Sequence, residues 1–254
     1  MTGNMKTFTV SIGRDVPQAT ALGFPCAYLV YTADSGSLKI TSPPGPKGGL
    51  MGLYGTGVPL GGVDAERVAG EIAAQIKRRG FGGLLLDMPV TDDGAAFVSR
   101  LCPFIASMGI VHYVPVEFAS RAPQAKLILP SAISGGSFSE MLERYCSNFP
   151  PSRLCLELIK TQNDFTMPSQ DPSGRPLSKQ EFDYLLSRSG GGYYSSDLYC
   201  RYFTYTGNDG APHFVMFDDR VSAREKALLA SRMGFFSCFA LYGEWREDIK
   251  YIYG

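Results

Sequence analysis

The feature that most constrains the fold is a series of eight short apolar segments spread along the whole chain. Each is a near-continuous run of hydrophobic residues, as expected for parallel strands that are covered on both faces. Parallel strands need crossover connections, which are usually helices. The segments are Phe8–Ile12, Cys26–Tyr31, Leu50–Tyr54, Gly83–Asp87, Ile110–Glu117, Lys126–Leu129, Leu154–Ile159 and Ser237–Tyr242.

Helix signals lie between many of these segments. One predicted helix begins at Asp64, repeats apolar residues every fourth position from Val68 and ends at Gly80, and another spans about 93–108. Strands that alternate with helices predict a single (β/α)8 barrel domain over residues 1–254, with its working surface at the carboxyl ends of the strands. Three later helices are predicted from capping-box pairs, at Ser137/Glu140, Ser178/Glu181 and Ser222/Glu225.

Two segments exceed a minimal barrel, and both follow the seventh predicted strand. Residues 161–176 are polar and rich in proline, and we interpret them as a loop on the functional face. Residues 193–217 predict an inserted antiparallel hairpin before the last helix. Its arms are Leu198–Tyr205 and His213–Phe217, around a turn at 207–210.

Charge and motif content exclude several function classes. The 24 basic and 24 acidic residues balance, so neither a nucleic-acid nor an anionic-membrane partner is predicted. The six cysteines form no CxxC pair and lie in apolar runs, which favours buried hydrophobes over a metal site. No phosphate-binding or dinucleotide motif is present, so no cofactor is expected, and two distant histidines make a nucleophile–histidine triad improbable.

Localisation is predicted from the same sequence. The first nine residues lack the apolar stretch of a signal peptide, and no run reaches eighteen apolar residues. These features predict a cytoplasmic protein, and the oligomeric state stays open.

The segment Arg201–Trp245 carries the most informative pattern. It reads RYFTYTGNDGAPHFVMFDDRVSAREKALLASRMGFFSCFALYGEW, with Asp218 and Asp219 before Ser222 and Lys226. This arrangement resembles the closing segment of family 18 glycoside hydrolases, the chitinase-like barrels, which also insert a hairpin before the last helix. The resemblance implies the barrel fold and a sugar-binding ancestry. From the residues alone, the two aspartates are expected to cap the last helix.

The resemblance also places the family's catalytic motif, Asp-Gly-x-Asp-x-Asp-x-Glu, at the end of the fourth strand. In that family the glutamate protonates the glycosidic oxygen, and the preceding aspartate positions the substrate's N-acetyl group. Residues 82–89 read GGLLLDMP, so Gly83 and Asp87 match while Pro89 stands in place of the acid. The sixth strand lacks the family's tyrosine and aspartate, and the sugar-stacking tryptophan aligns with Leu241 or Tyr242. The resemblance therefore implies a degenerate catalytic motif.

The candidate catalytic residues are carboxylates at the ends of three predicted strands: Asp87, Glu117 and Glu244. Each has a structural alternative: Asp87 and Glu117 can hold or flank loops, and Glu244 can pin the C-terminal segment to the barrel. The candidate sugar-binding residues are aromatic side chains that stack on pyranose rings. They are Tyr31, Tyr54, Tyr242 and Trp245.

Two functions remain open at this point. The first is a non-hydrolytic pseudoenzyme that binds a carbohydrate, such as an amino-sugar glycan, or another partner. The second is a glycoside hydrolase that uses the relocated carboxylates Asp87, Glu117 and Glu244. A different enzyme class on the same barrel is a further alternative, because a fold does not fix function. Two carboxyl groups about 5 to 10 Å apart that flank an open groove would favour the hydrolase, whereas an opening filled by Pro89, Leu85 and their neighbours would exclude it.

Overall fold

The computed structural model describes residues 5–34, 36–168, 171, 173–208 and 210–254. The strands in this part of the chain are β1 (Lys6–Ile12), β2 (Cys26–Asp34), β3 (Ser37–Ile40), β4 (Leu50–Tyr54), β5 (Leu84–Asp87), β6 (His112–Pro115), β7 (Lys126–Pro130), β8 (Leu154–Leu158), β9 (Gln162–Thr166), β10 (Arg175–Pro176), β11 (Tyr193–Ser195), β12 (Cys200–Thr206), β13 (Pro212–Phe217) and β14 (Ser237–Leu241). The helices are α1 (Val16–Ala21), α2 (Ala65–Arg79), α3 (Asp92–Ser107), α4 (Phe138–Asn148), α5 (Lys179–Arg188), α6 (Arg220–Arg232), α7 (Tyr242–Trp245) and α8 (Ile249–Tyr253).

Eight of these strands form a closed parallel barrel in the order β1, β2, β4, β5, β6, β7, β8, β14. The barrel closes where β1 pairs with β14, from Lys6 opposite Ser237 to Val10 opposite Leu241. Each of the eight apolar segments overlaps one barrel strand. The predicted (β/α)8 barrel is therefore confirmed, with β3 added as an antiparallel neighbour of β2.

The apolar character of the strands follows from burial on both faces. In β5, Leu84 and Leu86 pack outward against the helix layer, while Leu85 points into the barrel. Three aromatic side chains fill much of the interior: the rings of Phe8 and Phe239 stack at 5.4 Å, and Tyr113 meets Phe239 edge-on at 5.3 Å. The barrel is thus a packed core that opens only near its rim.

Local sequence signals set most helix boundaries. Helix α2 begins after Asp64, whose side chain accepts a hydrogen bond from Arg67 N at 3.1 Å, and it ends at Gly80 in the left-handed region. Ser178 and Glu181 form the predicted capping box of α5. The predicted start of α6, at Ser222, is wrong by one helical turn. Its N-cap is Asp219, and Ser222 is the reciprocal third residue, accepting from Asp219 N at 3.0 Å.

The insertion after β8 is larger than the predicted hairpin. The arms β12 and β13 pair antiparallel as expected, although Asp209 of their turn lies outside the described residues. They belong to a five-stranded sheet ordered β10, β9, β13, β12, β11. The loop predicted after the seventh strand is wrong for Gln162–Thr166, because this segment forms β9 and pairs with β13. Phe182 of α5 covers this sheet, with its ring 4.9 Å from that of Phe217.

A buried ion pair joins the insertion to α6. Asp218, at the end of β13, was expected to cap α6, but its carboxylate lies 2.8 Å from Lys226 Nζ and accepts from Ser222 Oγ at 2.8 Å. The side chains of Lys226 and Asp218 are 2% and 1% exposed. Asp218 is therefore a structural partner of Lys226, and Asp219 alone caps the helix.

Two further observations concern the cysteines and the length of the helices. Five cysteines are buried and Cys146 is half-buried, all with free thiols. Among the described residues, no helix is long and apolar enough to cross a membrane.

Candidate functional site

The carboxyl ends of the barrel strands surround a cavity of about 300 Å³. Its floor and walls are apolar, formed largely by inward-facing strand residues, and its rim carries carboxylates. The apolar part includes Val10, Leu29, Leu85, Ile128, Phe239 and Leu241, and the carboxylates are Asp87, Glu117 and Glu157. Leu85 lines this space without filling it.

Glu157 is the member of this group that the sequence analysis missed. Along β8, Leu154, Leu156 and Leu158 pack outward and Cys155 points inward, so alternation directs Glu157 inward as well. A single glutamate inside an apolar strand was the available signal. Strand ends do not include Glu157, because it lies inside the strand at an inward-facing position.

The surroundings of Glu157 disfavour its charged form. Burial, followed by the negative charges of Asp87, Glu244 and Glu117, raises the pKa of Glu157 to about 7. Among the described residues, no cation forms an ion pair with this carboxylate. Glu157 can therefore hold or release a proton near neutral pH, which is the property required of a general acid.

Asp87 lies at the carboxyl end of β5, opposite Tyr54 of β4 in the strand register. Desolvation by the surrounding barrel end raises the pKa of Asp87 above its usual value, although the side chain is accessible to solvent. Asp87 also lines a second depression of about 620 Å³, together with Tyr54, Thr56 and Arg14. The two depressions share Ile12, Leu29 and Asp87 in their linings, so they adjoin, and together they are called the groove at the barrel opening.

The other two predicted carboxylates differ in their surroundings. Glu117 lies on a single helical turn after β6, is exposed, and lines the cavity. Glu244, on α7, accepts a hydrogen bond from the backbone N–H of Lys160 at 3.2 Å. Burial raises the pKa of Glu244, and this hydrogen bond and the charge of Lys160 partly offset the effect. The contacts of Glu244 thus match its structural alternative, while its charge still acts on Glu157.

Only some of the predicted sugar-binding aromatic residues lie at the opening of the barrel. Trp245 is 0% exposed and donates from Nε1 to the Leu158 carbonyl at 3.0 Å, so the expectation that it stacks on a sugar is corrected. Tyr242 is half-buried and packs against the main core. Tyr54 is half-buried and remains at the groove.

Tyr31 is displaced from the opening by a β-bulge in β2. Leu29 pairs with Gly52 and Tyr31 with Leu53, so Val30 is the extra residue. A bulge shifts the alternation of side chains by one position. Tyr31 therefore points into the helix layer, where its fully buried ring meets Phe81 edge-on at 6.3 Å.

The cavity is not arranged as a metal centre. Within the described ranges, no group of three or more histidine, cysteine, aspartate or glutamate side chains is placed to bind a metal ion. The arrangement instead offers carboxylates of different proton affinity around an apolar floor. Such a site can bind hydroxyl-bearing ligands and exchange protons with them.

No protein-family model matches the sequence, and no curated protein matches it significantly. Solved structures do resemble the fold. The chitinase from Chromobacterium violaceum superposes with a TM-score of 0.62 at 15% identity, over 98% of this chain and 97% of that one. The family 18 chitinase from Cycas revoluta in complex with (GlcNAc)3 superposes with a TM-score of 0.61 at 15% identity. The match covers 97% of this chain and 97% of that one.

A third similar structure is the spore cortex-lytic enzyme SleL from Bacillus megaterium, with a TM-score of 0.59 at 14% identity. The match covers 93% of this chain and 70% of that one. At these identities the similarity establishes the fold. The chain therefore has the chitinase-like barrel fold that its closing segment suggested.

Proposed function

We propose that the groove at the barrel opening binds a carbohydrate, with an amino-sugar glycan as the ligand class. The observation that carries the proposal is the unfilled cavity, in which carboxylates stand around an apolar floor. Pro89 stands at the position of the catalytic glutamate of family 18 glycoside hydrolases. Under this proposal the protein therefore does not hydrolyse glycans by that family's mechanism.

The chemistry of the groove suits a sugar. Carboxylates accept hydrogen bonds from hydroxyl and amide N–H groups, which amino sugars supply. Leu29 and Leu241, both half-buried, offer apolar surface to the C–H faces of a pyranose ring. The Cycas revoluta chitinase, which has the same fold, was solved in complex with (GlcNAc)3, and this supports the choice of ligand class.

Blocking the cavity tests the binding proposal. Leu241 is half-buried and lines the cavity, so Leu241→Trp would fill space that the glycan needs. We expect calorimetric titration with (GlcNAc)3 to show binding by the unmodified protein and at least about tenfold weaker binding by the variant.

Val111→Trp is the matched control for that experiment. Val111 is 40% exposed and precedes β6, at the opposite end of the barrel, so this variant should bind like the unmodified protein. Absence of binding by the unmodified protein, or equal affinity in both variants, would contradict the proposal.

Glu157 favours a second candidate function, glycoside hydrolysis with relocated carboxylates. A carboxyl group with a pKa of about 7 can donate its proton to a glycosidic oxygen. A second carboxylate, Asp87, would then act as base toward water or as nucleophile toward the sugar. This candidate keeps Asp87 and Glu117 from the predicted set and adds Glu157 as the acid.

Hydrolysis assays separate the two candidates. The binding proposal expects no product from chitin oligomers or aryl N-acetylglucosaminides above a no-enzyme control. It also expects no rescue by Pro89→Glu, because Leu85 and the sixth strand still lack the family's other groups. The hydrolase candidate expects turnover that falls as the pH rises above about 7, since the acid must be protonated, and that Glu157→Gln abolishes. Turnover unaffected by Glu157→Gln would exclude Glu157 as the acid.

A further inference from the structure

The insertion carries a polar groove of its own, separate from the barrel opening. It lies between α5 and the β12–β13 hairpin and has a volume of about 770 Å³. This is within the range of sites that hold small organic ligands. Its lining includes Arg175, Tyr184, Arg188, Thr204, Tyr205 and His213.

A buried carboxylate beneath this groove fixes the orientation of two lining side chains. Asp164 of β9 has a side chain that is 3% exposed, and it accepts from Tyr205 Oη at 2.8 Å and from His213 Nδ1 at 2.9 Å. Arg175 approaches the same carboxylate at 3.4 Å. The ring of Tyr205 also stacks on His213 at 4.5 Å between centroids. The histidine therefore has one orientation.

This orientation leaves one imidazole nitrogen for a ligand. Because a carboxylate accepts hydrogen bonds, Nδ1 of His213 carries the hydrogen that faces Asp164, and Nε2 is the remaining polar atom. No described residue forms a hydrogen bond with Nε2, and the imidazole is part of the groove wall. A buried polar network is seldom more stabilising than apolar packing of the same volume, so stability alone does not account for it.

Arg188 supplies a second group that can bind a ligand, a cation without a described acidic partner. Its guanidinium lies over the ring of Tyr184 at 5.5 Å and donates to Tyr184 Oη at 2.7 Å. Arg188 forms no ion pair with a described carboxylate, whereas Arg175 is bound to Glu181 and Asp164. Tyr184 is 57% exposed and offers a stacking surface beside this cation. Hydroxyl groups of Thr204 and Thr206 complete the wall.

We propose that this groove is a second binding site, specific for a sugar that carries a carboxylate. The carboxylate binds Arg188, Nε2 of His213 accepts a hydrogen bond from a hydroxyl group of the sugar, and the pyranose ring lies against Tyr184. Guanidinium groups bind carboxylates in paired hydrogen bonds, which gives the site its preference for the acidic sugar. The site is independent of the glycan binding proposed for the barrel opening.

Two sugars that differ only by the acidic substituent test this proposal. N-Acetylmuramic acid has the ring of N-acetylglucosamine plus a carboxylate-bearing ether. We expect calorimetric titration of the unmodified protein to show at least tenfold tighter binding of N-acetylmuramic acid. Equal affinities, or no binding of either sugar, would overturn the proposal without any variant.

Variants then assign the binding to this groove. Arg188→Gln should remove the preference for the acidic sugar, and His213→Gln should weaken the binding of both sugars, with folding checked by circular dichroism. Arg220→Gln is the matched control, since Arg220 lies over Tyr251 at 4.9 Å on another part of the surface. Leu241→Trp should leave acidic-sugar binding unchanged. If the preference survives Arg188→Gln but is lost in Leu241→Trp, the sugar binds in the barrel opening and the second site is refuted.

Discussion

Replacing Lys226 by methionine is expected to lower the free energy of unfolding by about 3–5 kcal/mol. Methionine fills similar space but leaves the buried carboxylate of Asp218 without its cation. The remaining partners of Asp218 are Ser222 Oγ and the backbone N–H of Thr161. Urea unfolding followed by circular dichroism measures the change, which should appear as a lower midpoint.

An exposed ion pair provides the control for this prediction. Lys179 and Asp183 lie 2.9 Å apart on α5, with side chains that are 84% and 55% exposed. Lys179→Met should therefore change stability by less than about 1 kcal/mol. The double variant Asp218→Asn/Lys226→Met should recover much of the loss, since no buried charge remains. Equal effects of the two single lysine variants would show that burial of the Lys226 pair has no energetic consequence.

The second large effect concerns the pH dependence of stability. The folded-state pKa of Glu157 is raised to about 7, above the ordinary glutamate value of 4.5. Between these pH values the folded state retains a proton that the unfolded state has released, so raising the pH favours unfolding. The contribution of Glu157 should therefore fall by about 3 kcal/mol as the pH rises from below 4.5 to above 7.

Glu157→Gln removes this contribution, because glutamine has the same shape and does not ionise. At pH 8 the variant should be more stable than the unmodified protein, and its unfolding free energy should vary less with pH. Some variation will persist, since desolvation also raises the pKa values of Asp87 and Glu244. Glu143→Gln, on the exposed face of α4, is the control and should follow the unmodified protein. Identical dependence of the unfolding free energy on pH for Glu157→Gln and the unmodified protein would show that the pKa of Glu157 is not raised in the folded state.

The barrel could be predicted from the sequence because parallel strands are buried on both faces and must be apolar. The inserted sheet follows a different rule. On one face of β9, the side chain of Asp164 takes part in a polar network. The sequence of β9 therefore resembles a polar loop and not a strand. Its pairing with β13 depends on residues about fifty positions later, which local patterns do not reveal.

Errors in the candidate site came from the direction of side chains rather than from the location of strands. Asp87 and Glu117 were found because strand ends are visible in the sequence. Tyr31 lies where alternation points it into the barrel, but a single extra residue in β2 reverses its direction. Trp245 follows β14 on α7, and the helical turn directs its ring into the core. A β-bulge and a short helix are set by tertiary packing, so the sequence alone did not indicate them.

The seam between β1 and β14 has a consequence for the order of folding. During synthesis, β1 and β8 keep unpaired edges until residues 237–241 leave the ribosome, because β14 is the neighbour of both strands. The inserted sheet precedes α6 and β14, so its strands can pair while the barrel is still open. Open strand edges bind other chains readily. The interval between completion of the insertion and arrival of β14 is therefore the stage of biosynthesis at which this chain is most exposed to aggregation.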